Sequence, residues 1–140
     1  MKGSWTVMVE EEEFEAYQLL QRGLELLRDG HPAQAALVLE RAVQHEPGKG
    51  SILEALGRAC FEAGRYPDAA ASFEEALEAD PTNDYAHYCL GLCYLKLKRK
   101  AEAGGQFKLA WFLRPREEYR EKAVRFGVAT GEAGTVAFAG

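Results

Sequence analysis

An all-α protein made of stacked helical hairpins is the fold class predicted by this 140-residue sequence. Three observations predict it. Five kinds of position recur three times at a constant interval of 34 residues. Glycine and proline recur where hairpin turns need them. The apolar residues between those markers fall three or four apart, the period of a helix face.

The recurrence is specific. Gly23, Gly57 and Gly91 are 34 residues apart, and so are Ala35, Ala69 and Ala103. Leu39, Phe73 and Phe107 keep the interval, as do Ala42, Ala76 and Ala110, and Pro47, Pro81 and Pro115. These positions divide the chain into repeats at about 16–49, 50–83 and 84–115.

Residues 1–9 read as an N-terminal segment, with Trp5 to Val9 adding an apolar flap. A single domain spans 10–126. Glu10 to Glu13 are expected to open the first helix, where acids suit the positive end of the dipole. Gly30 and Pro32 mark the first hairpin turn. In the middle repeat the helices are expected at 51–62 and 67–78. Leu53, Leu56, Cys60 and Ala63 line one face of the first, and Ala69, Phe73, Ala76 and Leu77 one face of the second. Gly64 suits the left-handed position after a helix, Pro67 a helix start, and Pro81 a stop. In the third repeat Lys98 stands where a turn glycine would be, so that turn is less well pre-set.

Gly57 and Gly91 lie inside helices, where glycine costs about 1 kcal/mol against alanine. Close approach of the paired helix offsets that cost, with Ala69 and Ala103 as the matching small surface, and Phe73 and Phe107 are expected to fill the gap between a hairpin and its neighbour. Residues 116–126 read as a capping helix with Tyr119, Ala123 and Phe126 on one side, packed near Leu109 and Trp111. Gly127 ends it, and 127–140 is expected to be a flexible tail. Docking of Val136 to Phe138 on a groove stays open as an alternative.

Leu53, Leu56-Gly57, Cys60, Ala69, Phe73, Ala76 and Pro81 resemble the pattern of the tetratricopeptide repeat family. His87, Leu90-Gly91, Tyr94, Ala103, Phe107, Ala110 and Pro115 repeat it, as do Leu19, Gly23, Leu26, Ala35, Leu39, Ala42 and Pro47. Arg22 departs from the pattern where a leucine is expected. A terminal repeat tolerates this because a long charged side chain can snorkel. The resemblance implies a right-handed superhelical α-α solenoid of three tetratricopeptide-type hairpins with a C-terminal capping helix. Gly23, Gly57, Gly91, Ala69, Phe73, Ala76, Ala103, Phe107 and Ala110 would then be the structural repeat core.

In such a solenoid the first helix of each repeat lines the concave side, an extended binding groove. The residues expected there are Tyr17, Leu20, Leu24 and Leu27, then Arg58 and Phe61 with Glu54 and Glu62, then Tyr85, Tyr88, Leu92 and Leu95. Aromatics and leucines of this density suit an interface. One subclass of the family clamps acidic chaperone tails with lysine, asparagine and arginine. Leu20, Leu24, Ala55, Tyr85 and Cys89 stand at the matching sites and cannot grip a carboxylate. Another subclass, the secretion chaperones, holds an extended substrate in an apolar groove.

The formal charge of −5 disfavours nucleic acid and anionic membranes as partners. No apolar stretch is long enough to span a membrane, so no membrane insertion is expected. Lys96, Lys98, Arg99 and Lys100 form the one basic cluster, open to an acidic partner or to solvent. Cys60, Cys89 and Cys93 are odd in number and read as free thiols in a reducing, cytoplasmic compartment. With His87 they could be imagined on a metal, but buried thiols explain them better. His31 and His45 read as surface residues. No nucleophile–base constellation, phosphate loop or metalloprotease segment is present. The sequence therefore predicts no enzyme and no cofactor. It predicts an adaptor whose groove takes a peptide or amphipathic helix of another protein. Self-assembly into a homo-oligomer and a small secretion-type chaperone are the alternatives.

Overall fold

The computed structural model describes residues 3–127, and seven α-helices lie within them. The tail expected at 128–140, and any docking of Val136 to Phe138, fall outside the described residues. The helices are α1 (Gly3–Arg28), α2 (Pro32–His45), α3 (Gly50–Glu62), α4 (Tyr66–Ala79), α5 (Asp84–Lys96), α6 (Lys100–Leu113) and α7 (Glu117–Phe126). They fall into two compact units, Met1–Ala79 and Asp80–Gly140. In the first unit α1 pairs with α2, α3 pairs with α4, and α2 packs on α3. In the second unit α5 pairs with α6, and α7 packs on α6. The architecture is all-α, paired hairpins followed by a trailing helix.

The three hairpin turns share one hydrogen-bond pattern. His31 N–H donates to the Leu26 carbonyl, Arg65 to Cys60 and Arg99 to Tyr94, each at 2.8 Å. The residue before each donor is left-handed: Gly30 at φ +82°, Gly64 at +80° and Lys98 at +65°. Glycine enters that region without strain, whereas Lys98 does so against its own Cβ. The third turn keeps its geometry because the flanking bonds over-determine it.

Inside each hairpin a glycine of the first helix receives a bulky side chain from the second. A methyl group built on Gly23 would stand 2.5 Å from Leu39, on Gly57 2.8 Å from the Phe73 ring, and on Gly91 2.5 Å from Phe107. Leu39, Phe73 and Phe107 are buried. Ala35, Ala69, Ala103, Ala42, Ala76 and Ala110 are buried as well and let the helices approach.

Three expectations are corrected. Phe73 and Phe107, expected between neighbouring hairpins, seat on Gly57 and Gly91 inside their own hairpins. Residues 3–9 are not a separate flap but the first turns of α1, which is 26 residues long. Glu10 to Glu13 consequently lie mid-helix, where glutamate is a good helix former. The trailing helix does not dock through Leu109, which is 44% exposed. It docks on Gly104 and Phe107. A methyl on Gly104 would strike the Phe126 carbonyl, and the Phe107 and Phe126 rings lie 5.9 Å apart.

Candidate functional site: the first-helix walls

In the first unit the wall belongs to α1 and α3. Tyr17 is exposed, Leu20 and Leu24 are half-buried, and Leu27, expected on the wall, is buried. Leu27 sits in the first hairpin turn, where its carbonyl accepts from the Gly30 N–H, and its side chain is 7% exposed. Leu20 has two roles: it packs against the cluster of Ala16, Ala42 and Ile52 and also faces outward. Tyr17, Leu20 and Ile52 form the apolar floor of an open hollow of about 400 Å³. Glu13, Glu46, Lys49 and Ser51 complete its lining. Lys49 Nζ is 3.8 Å from Glu46, so the hollow's one lining cation is already engaged by one of its two carboxylates. Arg58 is half-buried, and the Phe61 ring meets Tyr66 edge-on at 5.2 Å.

A second hollow of about 340 Å³ lies further along α1, lined by Trp5, Met8, Val9, Glu12, Glu13, His45, Glu46 and Pro47. His45 Nδ1 is 2.7 Å from Glu12 Oε2, which ties the last turn of α2 to the middle of α1. The sequence reading missed this surface because the glutamate run resembled a helix start. The spacing of Trp5, Met8, Val9, Glu12 and Ala16 carried the signal of one continuous helix face.

In the second unit the wall belongs to α5. Tyr85 is exposed, and Leu92 and Leu95 are half-buried. Tyr88, also expected on the open wall, is instead covered by the trailing helix. Its ring lies 4.9 Å from Tyr119 and 5.7 Å from Phe107. Burial, and then the nearby carboxylate of Glu118, push the Tyr88 hydroxyl above its ordinary pKa. Ala55 and Cys89, two of the positions that a carboxylate clamp would use, are buried.

The titratable groups of the interior are structural. His87 is 8% exposed, with Nδ1 2.7 Å from Gln106 Oε1 and Nε2 2.9 Å from the Pro81 carbonyl, so the ring pins α5 to α6. Cys60, Cys89 and Cys93 are buried thiols outside any disulfide. Burial pushes the Cys60 thiol up despite Arg65, which disfavours the reactive thiolate. Among the described residues no group of three His, Cys, Asp or Glu could hold a metal ion. No described helix is long and apolar enough to cross a membrane.

Comparison with known proteins agrees with this architecture. A family model described as tetratricopeptide repeat matches residues 20–84 and again 63–116. Superkiller complex protein 3 of Mus musculus is 32% identical over 100 residues, which are 71% of this chain and 6% of that protein. Its Homo sapiens counterpart is 30% identical over the same shares. This chain thus spans a small fraction of the relatives it matches. Among solved structures, the first TPR of Spaghetti (RPAP3) bound to the HSP90 peptide SRMEEVD is 16% identical with a TM-score of 0.78. The match covers 82% of this chain and 92% of that one. The Yersinia enterocolitica type III secretion chaperone SycD, in complex with a peptide of the translocator YopD, is 20% identical with a TM-score of 0.69. That match covers 79% and 86% of the two chains. These likenesses show the fold. With its repeat glycines seated on Leu39, Phe73 and Phe107, the chain belongs to the tetratricopeptide repeat family.

Proposed function

We propose that the chain is a protein-interaction module that takes an apolar peptide or helix of a partner, with the α1–α3 hollow of the first unit as its seat. The observation that carries this is the hollow's composition: an apolar floor of Tyr17, Leu20 and Ile52 beneath a polar rim. Pockets of this kind accept an apolar anchor and orient it by a few polar contacts. Tyr85, Leu92 and Leu95 on α5 provide a further apolar wall in the second unit. Two solved relatives hold peptides, which supports the reading.

An acidic peptide such as SRMEEVD is a poor fit here. Glu13 and Glu46 line the hollow, and Lys49 is drawn to Glu46. The occupant is therefore neutral or basic. Buried thiols outside any disulfide suit a reducing compartment, and we place the protein in the cytoplasm.

Panning a displayed peptide library against the chain tests the proposal. Enriched peptides should share an apolar anchor, should lose binding on Tyr17→Ser, and should not be displaced by SRMEEVD. An absence of enrichment, or peptides that bind Tyr17→Ser as tightly, would overturn it. A stable homodimer in light scattering that Tyr17→Ser dissociates would transfer the hollow to self-assembly.

A further inference from the structure

α1 outruns its partner. Its core-facing stripe passes through Gly23, seated on Leu39, and through Leu20, Leu19 and Ala16. The same face continues at Glu12, Val9, Met8 and Trp5, spaced three or four apart. Glu12 is met by His45 in the last turn of α2. Beyond that point a core-type stripe runs into solvent: Trp5 is 74% exposed, Met8 61% and Val9 36%. With Pro47 these three line an open hollow whose rim carries Glu12, Glu13 and Glu46, with His45 held on Glu12. From Gly3 to Glu12 α1 rises roughly 14 Å, room for about two and a half turns of a second helix laid alongside, with the apolar strip of Trp5, Met8 and Val9 at its centre.

Charge selects the occupant. A second copy has a formal charge of −5 and would bring its own acidic rim to this one, and in a parallel arrangement two runs of Glu10 to Glu13 would face each other, so like charges resist that pairing. The chain's own residues 128–140 carry Glu132 as their only charged side chain and bring no positive charge to the acidic rim. An acidic peptide is repelled. We infer that the Trp5–Met8–Val9 strip docks a basic amphipathic helix of a partner protein. The partner's aliphatic side chains seat on Trp5 and Met8, and its lysines or arginines meet Glu12, Glu13 and Glu46. This surface is separate from the Tyr17 hollow, although Glu13 and Glu46 border both.

The probe is a labelled peptide of about 14 residues with leucines at helical spacing and lysines elsewhere, read by fluorescence anisotropy beside its glutamate-for-lysine counterpart. The lysine probe should bind, more weakly as salt rises, and the glutamate probe should not. Trp5→Ser/Met8→Ser and Glu12→Lys/Glu13→Lys should each weaken binding by about tenfold or more. Glu75→Lys/Glu78→Lys makes the same charge change on exposed positions of α4 and should leave binding within about twofold. Circular dichroism of each variant confirms that helical content is kept. Equal binding of both probes, or unchanged binding by Trp5→Ser/Met8→Ser, overturns the inference. So does an equal loss in Glu75→Lys/Glu78→Lys, which would leave bulk charge as the cause. A dimer that Trp5→Ser/Met8→Ser dissolves would assign the strip to a second copy instead. Tyr17→Ser separates the two surfaces: it should empty the hollow while the lysine probe still binds the strip.

Discussion

The buried hydroxyl of Tyr119 donates to Asp84 Oδ2 at 2.8 Å, joining the first turn of the trailing helix to the first turn of α5. Arg114 Nε is 3.4 Å from the other oxygen of Asp84. One carboxylate thus gathers the start of α5, the end of α6 and the start of α7. Burial, and then the acceptor Asp84, hold the Tyr119 pKa well above its ordinary value. An acid whose folded pKa is raised confers stability that is fully present below its unfolded pKa, about 10 for tyrosine. That stability drains as pH rises further, because the unfolded chain ionises first. Tyr119→Phe should cost about 1–2 kcal/mol at neutral pH by removing the donor to Asp84. It should also flatten the alkaline loss of stability relative to the parent chain. Urea titrations at neutral pH and above about pH 10 test both. An identical alkaline slope in the two proteins would refute the linkage.

The adjacent glycines of α6 should behave in opposite ways. Gly105 has open space around it, so Gly105→Ala should stabilise by about 1 kcal/mol through helix propensity. Gly104 faces the Phe126 backbone, which cannot yield as a side-chain tip can. Gly104→Ala should destabilise by about 1–3 kcal/mol. Chemical denaturation of the two variants is the measurement, and a shared sign would refute the docking of α7 on Gly104.

Gly57 and Phe73 should be coupled. Gly57→Ala is destabilising with the Phe73 ring in place, and Phe73→Ala costs about 3–5 kcal/mol through the cavity it leaves. In the double variant the new methyl group enters part of that cavity. A double-mutant cycle should show an interaction energy above about 1 kcal/mol, and additivity would remove the close-approach explanation for the helical glycine.

Lys98 occupies a left-handed position that glycine fills in the two equivalent turns. Lys98→Gly should therefore stabilise by up to about 1 kcal/mol, the relief of strain being partly offset by the greater freedom of the unfolded chain. The same glycine placed at Lys96, the last residue of α5, relieves no left-handed strain and should destabilise by a smaller amount, about 0.5 kcal/mol. Thermal melts of the pair report the sign.

How much was legible differs between the helices and the surfaces. The hairpins of α3 and α4 could be placed to within a residue, because Gly64, Pro67 and Pro81 act through local backbone sterics. The odd turn at Lys98 was legible for the same reason. The start of α1 was not, since a run of glutamates suits a helix start and a helix interior alike, and only the long-range contact of Glu12 with His45 separates them.

Sequence alone determined what repeats and local stereochemistry dictate: an all-α chain, its hairpin period, and the helical glycines that call for a closely approaching partner. Tertiary structure decided which apolar residues stay free. Leu27 and Tyr88 share the period of their open neighbours, yet one is buried in a hairpin turn and the other lies beneath Tyr119. Trp5 and Met8 share the period of the core and remain in solvent, because α2 ends at His45 before it can reach them. Periodicity names the face a side chain occupies, whereas burial depends on how far the neighbouring element extends, and no local pattern encodes that length.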